Sequence, residues 1–301
     1  HICAYTRTHT TDQTRAPSTQ AQLKGQLLRY VSTAMRFSDL GVDARVVACN
    51  RVVLLHGPPG TGKTSLCKAL AHKLAVRLGG RYPQAHLVEV NAHSLFSKWF
   101  SESGKMVQGM FARITELLED GDALVCVLID EVESLTRARD SAMGSNEPSD
   151  AVRVVNALLT QLDQLRRFPN AIVLTTSNLP AAVDAAFIDR ADIKQYVGPP
   201  GAVARYAILS SCIGEFRRAN ALAMFEPLLP WAALQPLVPP QPPGFEVLQG
   251  LDDGGRSPAP RHSLMLHALA ARCGGLSGRA LRKLPFLAQA PSTVSAARTP
   301  P

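Results

Sequence analysis

The sequence predicts an α/β fold with a parallel sheet, followed by a smaller helical unit. Three observations carry this. Short apolar strands alternate with helix-spaced apolar stripes as far as Pro200. Val52–Thr64 reads V-V-L-L-H-G-P-P-G-T-G-K-T, a buried strand and a glycine-rich turn of the form G-x-x-x-x-G-K-[ST] opening a helix. Leu124–Ile129 is wholly apolar and ends in Asp130-Glu131, as expected of a strand covered on both faces.

The elements follow in order. Residues 1–22 are polar, carry five threonines between Thr6 and Thr14, and are expected to be a disordered N-terminal remnant. The start, His1-Ile2-Cys3, has neither an initiator Met nor a signal-peptide core, as a fragment or processed chain would. From Gln22, Leu23, Leu27, Leu28, Val31 and Met35 fall on one helical face. Val52–Leu55 is the first core strand, and Leu66, Leu70 and Leu74 mark the helix after the loop. Gly79-Gly80 and Pro83 end it. His86–Val90 is a strand, and Met106, Met110, Ile114 and Leu117 suggest the face of the next helix. Thr136–Asp150 reads as a mobile loop, and Val152, Val155, Leu158, Leu159 and Leu162 as an amphipathic helix. Ala171–Thr176 is a further strand, ending at Ser177-Asn178. Past Gly198-Pro199-Pro200 no strand is expected. Ala202–Phe216 is helical in pattern; seven prolines from Pro227 to Pro243 argue against regular helix. Helical pattern returns over Ser263–Cys273 and from Ser277.

Hydrophobic residues make up 46% and charged residues 19% of the chain, enough for a core. No stretch of about 18 apolar residues suggests a membrane helix. The net charge of +8 sits at the ends: residues 1–50 carry six Lys/Arg against three acids, and residues 261–301 six against none. That leaves −1 for residues 51–260. A basic end can touch nucleic acid, but no aromatics are interleaved for base stacking, so an ordinary solvated end is the stronger reading. The six cysteines lack any C-x-x-C and read as reduced thiols.

Gly57, Pro58, Pro59, Gly60, Thr61 and Gly62 would wrap their backbone N–H groups around phosphate oxygens at a helix N-terminus. Lys63 would reach the β- and γ-phosphates, and Thr64 would ligate Mg²⁺. In a parallel sheet the strand ends face one ligand, which brings Asp130 and Glu131 toward this loop. Asp130 suits a carboxylate seat for Mg²⁺ through its waters, and Glu131 a base for the attacking water. Asn178 could hold that water, or simply close a turn before Pro180. Trp99-Phe100, set among polar residues, offer either a gripping surface or a core aromatic.

G-P-P-G-T-G-K-T, L-I-D-E, T-T-S-N and S-L-F-S-K-W-F-S-E-S, in this spacing, resemble an AAA+ ATPase. I-D-E-V-E-S-L-T (Ile129–Thr136), D-R-A-D-I-K-Q-Y-V-G-P-P (Asp189–Pro200) and G-L-S-G-R-A-L-R-K-L-P-F-L-A (Gly275–Ala288) resemble its pachytene-checkpoint branch, the hexameric remodellers of HORMA-domain proteins. The resemblance implies an AAA+ P-loop NTPase large domain over residues 23–200 and a small, incomplete helical lid over 201–301. Proline-rich residues 226–260 interrupt that lid, and a disordered tail, 290–301, ends it. It implies Walker A at Lys63 and Thr64, Walker B at Asp130 and Glu131, sensor 1 at Asn178 and pore loop 1 at Trp99 and Phe100. Arg279 falls at sensor 2, contacting ATP from the lid, and Arg190 is the candidate arginine finger for a neighbouring subunit. Many AAA relatives read R-P-G-R where this chain has a single Arg190 between Asp189 and Asp192. The family's N-terminal recruiting domain and closing lid helix have no counterpart, and residues 219–262 look like a replacement of part of the lid.

The implied activity is Mg·ATP hydrolysis in a ring, expected as a homohexamer, that remodels HORMA-domain proteins in the spindle checkpoint and at the meiotic chromosome axis. The implied partners are those proteins and a HORMA-type comet adaptor. The implied places are the nucleus, chromosomes or kinetochores, and the cytoplasm. Two rivals are a nucleotide-binding interaction module without effective turnover and a DNA-acting AAA+ ATPase. The near-neutral core argues against the second, and direct nucleic-acid binding is not expected.

Overall fold

A computed structural model describes residues 2–4, 19–42, 46–92, 103–134, 149–179, 182–222, 227–238 and 258–296. They form two compact units, the first of residues 2–4 and 23–197 and the second of residues 19–22 and from Gly198 on.

The first unit is a six-stranded sheet in the order β1-β3-β4-β5-β2-β6. The strands are β1 (Ile2–Ala4), β2 (Val52–His56), β3 (Gln84–Asn91), β4 (Ala123–Asp130), β5 (Ala171–Ser177) and β6 (Ile193–Tyr196). Five run parallel, and β1 adds antiparallel to β3 with Ile2 opposite Val88. Helices α1 (Thr19–Asp39) and α2 (Lys63–Arg77) cover one face. Helices α3 (Ser103–Glu119), α4 (Ser149–Leu165) and α5 (Ala185–Arg190) cover the other. β4 explains its own sequence: Leu124, Cys126 and Leu128 pack toward α1 and α2, while Val125, Val127 and Ile129 pack toward α3 and α4. A strand buried on both sides favours a near-continuous apolar run.

Several sequence expectations change here. Ile2–Ala4 were expected in a disordered segment but form an edge strand, because the outer edge of β3 offers free backbone donors and acceptors. β6 was not expected; its residues alternate half-buried and exposed, so Ile-Lys-Gln-Tyr lacks an apolar run. The buried face of α3 is Val107, Phe111, Ile114 and Leu118; of the expected stripe, Ile114 is buried, Met110 and Leu117 pack half-buried against the same core, and Met106 stays 49% exposed. The two stripes share Ile114, and the centre of the buried face lies on the side carrying Val107 and Phe111. The expected mobile loop over Thr136–Asp150 lies largely outside the described residues, which resume with α4 at Ser149.

Two polar anchors fix the strand ends away from the site. Asp192 accepts from the Tyr30 hydroxyl (2.6 Å), from the Asn50 backbone and side-chain N–H groups (3.1 and 3.2 Å), and from the Val52 N–H (3.3 Å). Burial, then this bond, pushes the Tyr30 phenol far above its ordinary value. Arg51, buried and in the left-handed region at φ 57°, donates to the carbonyls of Ala171, Arg166 and Phe168.

The second unit is helical: α6 (Ala202–Arg218), α7 (Trp231–Leu234), a 3₁₀ turn (Gln235–Leu237), α8 (Pro258–Arg272) and α9 (Gly278–Ala296). Tyr206, Leu209, Leu234, Leu266, Ala270, Cys273 and Leu281 make its core. The proline-rich stretch, where no regular helix was expected, does hold α7. Pro230 is its N-cap and Pro236 opens the 3₁₀ turn, positions where no N–H is needed. The approach to α7 is pinned on both sides: the Tyr206 hydroxyl donates to the Leu229 carbonyl (2.7 Å), and the Leu229 N–H donates to Ser263 Oγ (2.9 Å). α8 begins ahead of Ser263, and α9 continues to Ala296, past the start of the tail expected from 290. Ser277 Oγ caps α9 by accepting from the Ala280 N–H. No helix among the described residues is long and apolar enough to cross a membrane, and Cys49, Cys67, Cys126, Cys212 and Cys273 are free thiols.

Candidate active site

The strand order decides what meets. β5 lies between β2 and β4, so the ends of three parallel strands stand side by side: the loop after His56, Asp130 closing β4, and Asn178 just beyond β5. These are the carboxyl ends, where open α/β sheets hold ligands.

The loop after β2 needs its glycines. Gly57 has φ 146°, and a Cβ there would come within 2.3 Å of the Val197 carbonyl oxygen. Gly62, the N-cap of α2, is left-handed at φ 94°. No side chain caps α2, so its first-turn N–H groups and positive dipole end are left for an anion. Thr61 Oγ1 donates back to the Pro58 carbonyl (3.0 Å) and braces the loop.

Lys63, only 5% exposed, spreads its ammonium over three acceptors: the carbonyls of Gly57 (2.8 Å) and Pro58 (2.9 Å), and Asn178 Oδ1 (2.8 Å). Next to it, Thr64 Oγ1 donates to Asp130 Oδ1 (2.9 Å), an oxygen that also accepts from the Thr176 hydroxyl. The hydroxyl–carboxylate pair is a hard oxygen set of the kind Mg²⁺ takes together with waters. Thr64 and Asp130 would hold the ion, which would supply charge neutralisation at the phosphates.

At Glu131 the chain leaves β4 with φ 60°, a region that non-glycine residues adopt at a cost of about 1–3 kcal/mol. Its N–H donates to Thr176 Oγ1 (3.2 Å), and its carbonyl accepts from the Ser134 N–H and hydroxyl. The turn leaves the Glu131 carboxylate exposed beyond the strand end. Burial, and then Lys63, lower the His56 imidazole below its ordinary value and favour its neutral form; its ring lies 5.7 Å from that of Tyr196.

Glu133 was not singled out from sequence. It is buried, 6% exposed, and its Oε1 accepts from both the backbone N–H and the side-chain Nδ2 of Asn178, each at 3.0 Å. Glu133, Asn178 and Lys63 thus form one chain of hydrogen bonds across β4, β5 and the loop. Sequence offered one signal, the second glutamate of D-E-V-E, but its partner lies 45 residues away and is brought near only by strand order.

The remaining expected site residues are less assembled. Arg190, at the end of α5, gives Nε and Nη2 to the two carboxylate oxygens of Asp163 (2.9 and 2.7 Å) and Nη1 to the Ala186 carbonyl. Its neighbour Asp192 serves the Tyr30–Asn50 network instead. Arg279 is exposed on the first turn of α9 in the second unit. Trp99 and Phe100 lie outside the described residues.

Two family models match: "ATPase family associated with various cellular activities (AAA)" over residues 53–199, and "TRIP13-like, AAA+ ATPase lid C-terminal domain" over 201–299. The chain is 54% identical over 269 residues to a pachytene checkpoint protein 2 homolog of Gallus gallus, spanning 89% of this chain and 59% of that protein. It is 52% identical to the Homo sapiens homolog over the same shares, and 54% identical to that of Oryza sativa subsp. indica over 89% and 56%. The chain belongs to the pachytene-checkpoint AAA+ ATPases. The solved structure of C. elegans PCH-2 superposes with a TM-score of 0.66 at 39% identity, over 93% of this chain and 64% of that one. The FIGL-1 AAA domain, solved with ADP, shares the fold at a TM-score of 0.52 and 24% identity, over 71% and 63%.

The chain therefore spans somewhat over half the length of the curated pachytene-checkpoint relatives it matches. The lid model's match, residues 201–299, spans residues 219–262, the stretch read from sequence as a replacement of part of the lid.

Proposed function

We propose that this chain binds Mg·ATP between the β2 loop and the tips of β4 and β5 and hydrolyses it. The observation that carries the reading is the joined pair of contacts Thr64–Asp130 and Lys63–Asn178, which sets a hydroxyl, a carboxylate, an ammonium and an amide around one strand edge.

The steps follow from these groups. Backbone N–H groups of residues 57–64 and the α2 dipole bind the phosphates. Lys63 exchanges the Gly57 and Pro58 carbonyls for phosphate oxygens. Glu131 takes a proton from the attacking water as the bond from the γ-phosphorus to its bridging oxygen breaks, leaving ADP and phosphate. Arg279 would read the nucleotide from the lid. Arg190 would stabilise charge on the neighbouring subunit's γ-phosphate, and to do so it must give up Asp163.

The wider reading rests on family membership. In it the chain works as a hexamer that grips HORMA-domain proteins through Trp99 and Phe100 and remodels them, with a HORMA-type comet adaptor. It acts in the spindle checkpoint and on meiotic chromosomes, in nucleus and cytoplasm. Sizing the purified chain with Mg·ATP, with turnover measured on the same fractions, tests this: hydrolysis in a ring-sized fraction supports it. A monomer that binds ATP without turnover favours the second reading, an interaction module, to which the intrachain Arg190–Asp163 pair lends support.

A further inference from the structure

Resting on the hydrolytic reading above, we infer that Glu133 is a positioning residue. It fixes the amide of Asn178 with its oxygen toward Lys63, so that Asn178 offers the nucleotide side an acceptor and not a donor.

The flanking chemistry decides the orientation. Glu133, as a carboxylate, can only accept; the Lys63 ammonium can only donate. With Nδ2 on Glu133 Oε1 (3.0 Å) and Oδ1 on Lys63 Nζ (2.8 Å), both contacts are attractive. Turning the amide over would set oxygen against oxygen and nitrogen against nitrogen. The same Oε1 also takes the Asn178 backbone N–H at 3.0 Å, so one carboxylate holds both the main chain and the side chain of the residue. Glu133 itself cannot swing away cheaply: it is 6% exposed and sits on the turn that follows β4.

The consequence concerns which species Asn178 can hold. A γ-phosphate oxygen needs a donor, which Lys63 supplies. An attacking water has two protons to place, one for the Glu131 base and one for an acceptor. The Oδ1 of Asn178 is such an acceptor. Asn178 then orients the water and Lys63, and Glu133 sets the angle at which it does so.

The test uses the full chain, with steady-state ATP hydrolysis in one arm and the side-chain amide resonances of Asn178 in ¹⁵N-labelled protein in the other. Asn178→Asp alone sets a carboxylate against Glu133 and is expected to lower kcat about a hundredfold, with KM little changed. Adding Glu133→Gln supplies a donor to the new carboxylate and is expected to recover at least about tenfold of that loss. A double variant no better than Asn178→Asp alone would overturn the proposal. In the second arm, the Asn178 amide protons are expected to exchange slowly in the wild type and to shift in Glu133→Gln. Rapid exchange like that of an exposed amide would also overturn it, and this arm decides should Asn178→Asp melt below the assay temperature. If the wild type binds ATP but does not turn it over, the hydrolytic reading fails, while the resonances still decide the amide's orientation.

Discussion

The strand tips of the first unit and the helices of the second hold their candidate site residues in opposite ways. At the tips of β2, β4 and β5 nearly every chemical group is engaged by another: Lys63 with Asn178, Asn178 with Glu133, Thr64 with Asp130, Asp130 with Thr176. In the second unit Arg279 stands exposed on a capped helix turn, and the polar contacts serve packing, as in Tyr206–Leu229–Ser263. The difference teaches where precision is built. A sheet edge supplies neighbours at fixed register, so acids and amides can orient one another before any ligand arrives. The helical unit spends its polar contacts on its own packing and leaves Arg279 exposed.

Variants can test this contrast. The largest effect is expected at Glu131: Glu131→Gln should retain ATP binding while kcat falls about 10²–10⁴-fold, measured by phosphate release beside a binding titration. Trp99→Ala should keep basal hydrolysis and lose remodelling, read as conversion of a closed HORMA-domain protein to its open form; unimpaired conversion would remove Trp99 from the mechanism. Leu281→Ala, in the core of the second unit, should cost about 2–5 kcal/mol there, seen by differential melting, with the strand-tip contacts intact by amide exchange. The partly exposed Arg190–Asp163 pair should matter less: Asp163→Ala is expected to cost about 1 kcal/mol or less without loss of turnover. Arg190→Ala, if the arginine acts on a neighbour, should lose turnover as well.

The smallest effect concerns pH. Burial lowers the His267 imidazole below its ordinary value, so the unfolded second unit binds more protons than the folded one on the acidic side. Stability there should be full above the ordinary imidazole value of about 6.5 and decline as pH falls below it. Thermal melts of the wild type and His267→Phe across that range check the sign.

The parts of the site legible in sequence were the local ones. Gly57–Thr64 carries its strand, turn and helix within one short stretch, and Asp130-Glu131 closes an apolar run. Asn178 was legible as a strand-end amide that could hold the attacking water, but its contacts with Lys63 and Glu133 were not. Glu133 was not, because its work depends on β5 inserting between β2 and β4, and no local pattern records that order. In the fold, β6 escaped notice because a half-exposed strand has no apolar run, and the face of α3 because two adjacent stripes compete. The proline-rich stretch was read by composition, while its structure depends on prolines placed at helix starts and on Tyr206 and Ser263, distant in sequence.

Single-turnover hydrolysis of Mg·ATP by the purified chain, wild type against Glu131→Gln with bound nucleotide measured in the same samples, bears most directly on the site. The geometry predicts equal binding, with conversion to ADP in the wild type alone. Equal conversion by both proteins, or binding by neither, would contradict it.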